Sequence, residues 1–405
     1  MSRGLQWAAA SVLACGLLAG GGVALAKTAA PGRVSSQVFT VNVDGVNPKA
    51  NETFFAYFPR SSTVHPGDSV VFHYVGVGEP HTVTLGTLAD TAVGLFVHLT
   101  PRQQQGPPPA TLQAADAALP QLLPTGPGDA TPAAADPCYV RSGPPGTALC
   151  PRSQHEQPAF DGGQSFYNSG WLAANQRWTV HISSATAPGT YRFFCLLHRE
   201  FMNGKITVVP SDKAIASPSA QYALGKKQQA AMEAALDPAV TALRQGKPPV
   251  PKAVLPANSA LAGSAAMVPA QIDEFGPKTI KIPVGGSVTW YFLGAHTITF
   301  DSDKTNNDIR LTAPDGTVHI NPKAAAPAGG PGEPPPANGG PQSGIHLKVV
   351  ASSTWNGQGF HSSGVFANSF GPPVIEGYRI KFTRAGKYKY ICTIHDNMKG
   401  EVDVG

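Results

Sequence analysis

The sequence contains one short phrase twice, and this repeat limits the folds open to the chain. The two copies are Cys195-Leu-Leu-His198-Arg-Glu-Phe-Met202-Asn-Gly and Cys392-Thr-Ile-His395-Asp-Asn-Met398-Lys-Gly. Each copy follows a Gly-x-Tyr-x-aromatic segment whose alternation predicts a β-strand. A thiol, an imidazole and a thioether therefore leave the end of a strand together, in two separate parts of the chain.

The repeat extends upstream of these loops. Pro80-His81-Thr82-Val83-Thr84 is matched by Ala295-His296-Thr297-Ile298-Thr299. Residues 58–72 and 275–290, which come before them, alternate apolar and polar residues around a glycine turn, and this predicts two paired strands in each copy. The histidine and the cysteine are 114 residues apart in the first copy (81 to 195) and 96 in the second (296 to 392). Two copies are too few to stack as a solenoid, so we expect two similar domains with inserts of unequal length.

Together these residues form two equivalent sets of metal ligands. The predicted ligands are His81, Cys195, His198 and Met202 in the first set, and His296, Cys392, His395 and Met398 in the second. A thiolate, two imidazoles and a weak axial thioether are the ligands of a trigonal copper site. The alternative is that the cysteines are buried structural thiols and the methionines fill the core. The repetition of all four residue types favours two copper ions, one in each domain.

Each half of the chain resembles the cupredoxins, the blue copper family that includes plastocyanin and amicyanin. The resemblance covers most of residues 36–100, 158–210, 271–301 and 355–405. It implies an all-β fold of two Greek-key β-sandwich domains, each with a type 1 copper site. It also implies that electrons pass through the exposed loop histidines, here His198 and His395, within an apolar patch.

The composition predicts how the chain is divided. We expect a signal peptide at 1–26, a first domain at 36–210 with an insert at about 101–157, a linker at 211–270, and a second domain at 271–405 with an insert at about 303–354. The inserts are rich in Pro, Gly and Ala, so we expect them to be exposed loops. Within the linker, residues 220–244 have helical composition, which predicts a short helix that ends before Pro248-Pro249.

The N-terminus is typical of an exported protein. Arg3 comes before the apolar stretch Ala8 to Leu25, and Ala24-Leu25-Ala26 fits the rule for cleavage. We therefore expect an extracellular, cell-envelope or periplasmic protein. The alternatives are an uncleaved anchor or a lipid on Cys15, either of which would attach the chain to a membrane. In an oxidising compartment, Cys138 and Cys150 are expected to form a disulfide.

Three functions fit two copper sites. The first is an electron carrier that serves redox partner proteins. The second is copper storage or delivery, but the five methionines are not clustered as in an open delivery site. The third is a copper oxidase or nitrite reductase, which would need His-x-His pairs or a histidine beside the ligand cysteine, and the sequence has neither. We therefore expect an electron carrier and not an enzyme.

Charge and the other histidines add little to this hypothesis. The net charge is +5, without a basic cluster, so nucleic acid is not an expected partner. His73 and His181 have no counterparts in the second half, and His361 aligns with Tyr167. We expect these three histidines to lie at the surface or behind the ligands.

Overall fold

The computed structural model describes two β-sandwiches and a helix between them. The described residues are 36–76, 79–96, 109–119, 157–172, 175–247, 255–267, 269–301, 310–312, 318–321, 325, 346–368, 374–395 and 397–405. The predicted signal peptide and the predicted disulfide between Cys138 and Cys150 lie outside these residues. In the part of the chain that is described, no helix is long and apolar enough to cross a membrane.

The first half supplies ten of the described strands. They are β1 (Val38–Val43), β2 (Glu52–Phe54), β3 (Tyr57–Phe58), β4 (Ser61–Val64), β5 (Ser69–Tyr74), β6 (Thr84–Leu85), β7 (Tyr167–Asn168), β8 (Arg177–His181), β9 (Gly189–Phe194) and β10 (Asn203–Val208). The first sandwich pairs one sheet in the order β3-β1-β5-β8 with a second sheet in the order β4-β10-β9-β6-β7. Residues of both sheets share one buried core, including Val41, Tyr57, Phe72, Phe193 and Ile206.

The second half supplies fourteen of the described strands. They are β11 (Ser259–Met267), β12 (Ala270–Gly276), β13 (Thr279–Ile282), β14 (Ser287–Phe292), β15 (Gly294–His296), β16 (Thr299–Phe300), β17 (Arg310–Thr312), β18 (Val318–Ile320), β19 (His346–Trp355), β20 (His361–Ser362), β21 (Phe366–Asn368), β22 (Val374–Phe382), β23 (Gly386–Ile391) and β24 (Lys399–Val404). The two main sheets have the orders β19-β22-β14-β11-β12-β2 and β13-β24-β23-β16-β20. Their common core includes Trp290, Phe300, Tyr378, Tyr390 and Val402.

One strand of the first half belongs to the sheet of the second half. β2 pairs antiparallel with β12, with Thr53 opposite Gln271 and Glu52 opposite Ile272. Thr53 Oγ1 also donates a 2.6 Å hydrogen bond to Asp273 Oδ2. Because this pairing joins backbone to backbone, the two sandwiches and the intervening helix form one compact unit over residues 36–405.

A long helix packs across both halves. Three helices are described: α1 (Thr87–Phe96), α2 (Ala110–Ala117) and α3 (Pro218–Arg244), besides a 3₁₀ turn at Arg199–Phe201. The predicted helix at 220–244 is confirmed as α3, whose N-cap Ser217 accepts a hydrogen bond from the Ala220 N–H. Leu236 packs among residues of β2, β3 and β12, while Val240 and Leu243 pack against β11 and β14. The helix is therefore part of the core and does not hang between two free domains.

Three predictions about the framework are wrong in part. The predicted linker at 211–270 contains β11, which pairs parallel with β14. The predicted insert at 303–354 ends in β19, which pairs parallel with β22. In the other insert, α2 packs on α1 through Leu112, so this segment is not an exposed loop. In each case pairing or packing against another element orders a segment whose composition resembles a loop.

The paired strands predicted around the glycine turns are also wrong. β4 pairs with β10 and β5 with β1 and β8, so the two segments joined at Gly67 lie in opposite sheets. Gly67 has a φ of 92° at this corner. The same arrangement holds in the second half, where β13 pairs with β24 and β14 with β22. The alternation identifies the strands correctly, but it does not distinguish a hairpin from a sandwich corner.

Candidate metal centres

Each predicted ligand loop connects two strands at one end of its sandwich. In the first half, β9 ends at Phe194, Cys195 follows it, and β10 begins just after Met202. The Cys195 N–H donates to the Met202 carbonyl (2.9 Å), and the Arg199 N–H donates to the Cys195 carbonyl (2.8 Å). In the second half, the Cys392 N–H donates to the Met398 carbonyl (3.0 Å). These backbone bonds hold both loops closed, so the ligand side chains start from fixed positions.

The first site brings together three side chains from distant parts of the chain. His81 lies between β5 and β6, and its Nδ1 is 3.1 Å from the Nδ1 of His198. The Sγ of Cys195 is 3.9 Å from the same His81 nitrogen. His81 and Cys195 are fully buried, and His198 is 9% exposed. The three ligand atoms lie within 4.8 Å of one another and can hold a metal ion.

The second site repeats this arrangement closely. The Nδ1 atoms of His296 and His395 are 3.1 Å apart. The Sγ of Cys392 is 4.0 Å from the His296 nitrogen and 3.6 Å from the His395 nitrogen. All three side chains are buried and form the second group that can hold a metal ion. The structure thus brings together six of the eight predicted ligands, three in each sandwich.

The two methionines are buried beside these groups. Met202 and Met398 have no exposed surface, and each contacts its ligand cysteine through the backbone hydrogen bond that closes the loop. They also belong to the core clusters that contain Cys195 and Cys392. Both the axial-ligand and the core-filling interpretation are compatible with this burial, and axial ligation stays a prediction.

Backbone N–H groups point at both sulfur atoms. The Thr82 N–H donates to Cys195 Sγ and the Thr297 N–H donates to Cys392 Sγ, each at 3.4 Å. Thr82 Oγ1 accepts the N–H of Leu196 at 2.8 Å, and Thr297 Oγ1 accepts that of Thr393 at the same distance. The threonine after each upstream histidine therefore ties the strand to the loop and stabilises negative charge on sulfur.

The metal-free sites favour a thiolate beside a protonated imidazole. Burial alone would raise the pKa of Cys195, but the charges and hydrogen bonds of His198 and His81 hold it well below its usual value. Burial would lower the pKa of His198, but Glu79 and the Cys195 sulfur raise it to about 10. The opposing influences also leave the pKa of Cys392 well below, and that of His395 well above, the usual values. An anionic sulfur amid imidazoles is suited to binding a cation.

The chemistry of the donor atoms fits a copper ion. Two nitrogen ligands, each about 2 Å from a metal ion, lie about 3 Å from each other, as the Nδ1 pairs do here. A thiolate with two imidazoles serves both Cu(I) and Cu(II), and each Nε2 is free to bond a group behind the ligand. His81, Cys195 and His198 would hold one ion, and His296, Cys392 and His395 would hold the other.

The groups behind the ligands differ between the sites. His81 Nε2 lies 3.3 Å from Asp44 Oδ2, whereas His296 Nε2 lies 3.1 Å from the Leu293 carbonyl. By strand register, Gly263 occupies in the second sandwich the position of Asp44 in the first. A carboxylate thus supports the upstream histidine in the first site only.

The loop histidines also have different neighbours. The ring of Phe55 stacks on His198 with centroids 4.2 Å apart. By strand register, Asp273 is the equivalent of Phe55, and its Oδ1 lies 3.5 Å from His395 Nε2. Burial raises the pKa of Asp273 to about 6, although His395 and His296 act to lower it. The two sites share their ligands but not their electrostatic surroundings.

Two sequence-based expectations are wrong here. His198 and His395 are not exposed within an apolar patch, because charged and polar side chains of the joined halves cover their outer edges, among them Glu79 and Asp273. His361 is not at the surface: it is 7% exposed and lies 2.8 Å from Ser353 Oγ, among side chains that are not ligands. His181 is exposed and bonds Ser69, and His73 is partly exposed.

Sequence reasoning also missed the carboxylates behind the ligands. Asp44 directly follows the apolar alternation of β1, and Glu79 comes two residues before His81. An acid directly after an apolar strand, or two residues before a candidate ligand, was a usable signal. Asp273 carried no such signal, because its neighbours are 122 residues away in sequence at His395 and 220 at Thr53.

Comparison with known proteins finds only solved structures of low similarity. No protein-family model matches the sequence, and no curated protein matches it. Similar solved structures include auracyanin from Roseiflexus castenholzii, at 18% identity over 44% of this chain and 98% of that chain, with a TM-score of 0.22. A Cu-containing nitrite reductase from Thermus scotoductus SA-01 shows 13% identity over 91% of this chain and 68% of that chain, with a TM-score of 0.19. A blue copper oxidase from Nitrosomonas europaea shows 9% identity over 91% and 86%, with a TM-score of 0.19.

The predicted fold is confirmed. Both halves are cupredoxin-like β-sandwiches, as the paired sheets and the position of the closing loop between β9 and β10, and between β23 and β24, show.

Proposed function

We propose that the chain is an exported electron-transfer protein with two type 1 copper sites, one in each sandwich. One observation carries this proposal: two independent sets of His, Cys and His side chains converge with the same Nδ1–Nδ1 distance of 3.1 Å. Chance burial of thiols and imidazoles would not repeat this geometry twice. When bound, copper would supply a one-electron couple between Cu(I) and Cu(II).

The surrounding residues favour electron transfer over metal exchange. The cysteines are at most 1% exposed, and both loops are closed by backbone hydrogen bonds. Such ligands keep their positions when the charge at the site changes, and this keeps the cost of reorganisation low. Burial of all three ligands also opposes rapid transfer of the ion to another molecule, which a delivery protein requires.

The remaining parts of the proposal rest on sequence. The N-terminal signal pattern supports export, and redox proteins are the expected partners. The sequence lacks the His-x-His pairs of a substrate-binding copper site, which supports a carrier and not an oxidase or nitrite reductase.

The visible spectrum of the copper-loaded protein tests the proposal. We expect two copper ions per chain by elemental analysis and an intense thiolate-to-Cu(II) band. Cys195→Ser and Cys392→Ser should each remove about half of the band and one ion, because each thiolate produces its own transition. His361→Gln is the matched control, since this buried histidine contacts neither group, and it should leave the band unchanged. A colourless copper-loaded protein, or one whose colour survives both serine substitutions together, would refute the proposal.

A further inference from the structure

The outer edges of both loop histidines meet at one carboxylate. His198 Nε2 lies 3.4 Å from Glu79 Oε1, and His395 Nε2 lies 3.7 Å from Glu79 Oε2. The two oxygens of a single side chain thus face imidazoles from different sandwiches. Each imidazole also presents its Nδ1 to its own cysteine and partner histidine. The two ligand groups are therefore linked by a ring, a carboxylate and a second ring.

The fold holds Glu79 in this position from both sides. In the first half, its carbonyl accepts the hydroxyl of Tyr74 at 2.7 Å. In the second half, Gln271 Nε2 lies 3.3 Å from Glu79 Oε2 and 3.0 Å from His395 Nε2. Gln271 is placed by the pairing of β12 with β2. The bridge that Glu79 forms between His198 and His395 is thus a consequence of β2, the strand of the first half that joins the sheet of the second.

The bridge occurs once because the repeat is asymmetric at this point. Glu79 comes two residues before His81, and the equivalent residue before His296 is Gly294. A Cβ at Gly294 would come within 2.7 Å of Gln271 Oε1 and 3.0 Å of His296 Nε2, so no side chain fits there. One half supplies the carboxylate, and the other half leaves the space that Gln271 occupies.

The charges agree with a shared role. The Glu79 carboxylate faces the Nε2 atoms of both loop histidines. A histidine that binds a metal through Nδ1 carries its proton on Nε2 and donates it to a group behind the site. Here the same carboxylate lies within ion-pair distance of both Nε2 atoms, at 3.4 Å from His198 and 3.7 Å from His395. A change of charge in one site therefore acts on the electrostatic surroundings of the other.

We propose that Glu79 couples the two sites, so that an electron received in one sandwich passes to the other along His198, the Glu79 carboxylate and His395. The proposal rests on the proposed function. With copper held by the two His/Cys/His groups, the electron lost by Cu(I) in one site would be gained by Cu(II) in the other. No covalent bond forms or breaks, and each proton stays on its Nε2. The two sites therefore act as a pair within one molecule.

The first test separates the sites by substitution. In the Cys392→Ser background only the first site is coloured, and in the Cys195→Ser background only the second. Glu79→Gln, which keeps the shape and removes the charge, should shift the band and the reduction potential in both backgrounds and weaken metal binding about 10-fold in both, including that of redox-inert Zn(II). Asp44→Asn should act on the first site only, and Asp273→Asn on the second only. Asp403→Asn, a distant partly exposed carboxylate, should change neither. An effect of Glu79→Gln on one site alone, or on none, would overturn the proposal.

The second test follows the electron directly. In the full-length two-copper protein, flash reduction of one site should be followed by electron redistribution at a rate independent of protein concentration. Glu79→Gln should slow this step without changing the number of coppers bound. A rate that rises in proportion to concentration would show exchange between molecules and would overturn the coupling. The absence of any blue band refutes the proposed function itself, whereas two blue sites that do not respond to Glu79→Gln refute only the coupling.

Discussion

Shortening Leu236 in α3 should destabilise the whole protein, because this side chain lies where the helix meets both halves. Leu236 is 1% exposed and packs against Phe54 and Phe58 of the first half and Ala270 of the second. Leu236→Ala removes buried carbon atoms at about 0.8 kcal/mol per methylene-sized group. Adding the cavity left behind, we expect the free energy of unfolding to fall by about 3 kcal/mol.

The same helix provides a matched control. Leu224 is 49% exposed, so Leu224→Ala should change the free energy of unfolding by about 0.5 kcal/mol or less. Both substitutions change helix propensity equally, and their difference therefore isolates the packing. The assay is urea denaturation of the metal-free protein, followed by tryptophan fluorescence and circular dichroism. Equal losses for the two variants would mean that the helix is not packed against the sandwiches as described.

Two further predictions concern the site and the joining strand. Gly263→Ala should abolish the visible band of the second site and spare that of the first, because a Cβ at this position would overlap His296 Nε2. Gly285→Ala is the control: its φ is also positive, but a Cβ there would meet open space, so both bands should remain in the visible spectrum. Burial raises the pKa of Glu52 in β2 from 4.5 to about 7, so between these values the folded state binds more protons and loses stability as pH rises. The glutamine in Glu52→Gln cannot ionise. The free energy of unfolding of this variant should therefore exceed that of wild type by about 2 kcal/mol above pH 7 and match it below pH 4.5. Parallel stability curves in urea titrations across this range would contradict that reasoning.

The ligand loops could be predicted because their information is local. Cys195 and Met202 lie within eight residues, and the second copy shows which residues are common to both. The upstream histidines were found in the same way, through the shared His-Thr-x-Thr phrase. Neither step required knowing how the strands pair, so errors about the pairing of β4 with β5 did not affect the site.

One interior strand of the second sandwich, β11, could not be predicted from local composition. β11 reads Ser-Ala-Leu-Ala-Gly-Ser-Ala-Ala-Met, which lacks the β-branched and aromatic residues typical of strands. It becomes a strand because β12 and β14 flank it on both sides. Tertiary pairing supplies what the intrinsic preference of this segment does not.

The contacts between the halves lie at positions where the two copies of the repeat differ, so a comparison of the copies does not reveal them. Comparing the copies shows what they share, whereas Glu79, Gln271 and Asp273 act where the copies differ. Their positions follow from β2 leaving its own half, which no alternation of apolar residues indicates.

The strand β2 also determines what would happen if the gene were cut between its two halves. A protein made from the second half alone would lack β2, the partner of β12, and the edge of β12 at Ala270, Gln271 and Ile272 would be left with unpaired N–H and C=O groups. Such an edge recruits strands from neighbouring molecules, so the separate half would aggregate or dimerise. Although the two halves repeat the same ligand pattern, we therefore expect the second half to stay monomeric only when β2 of the first half is present.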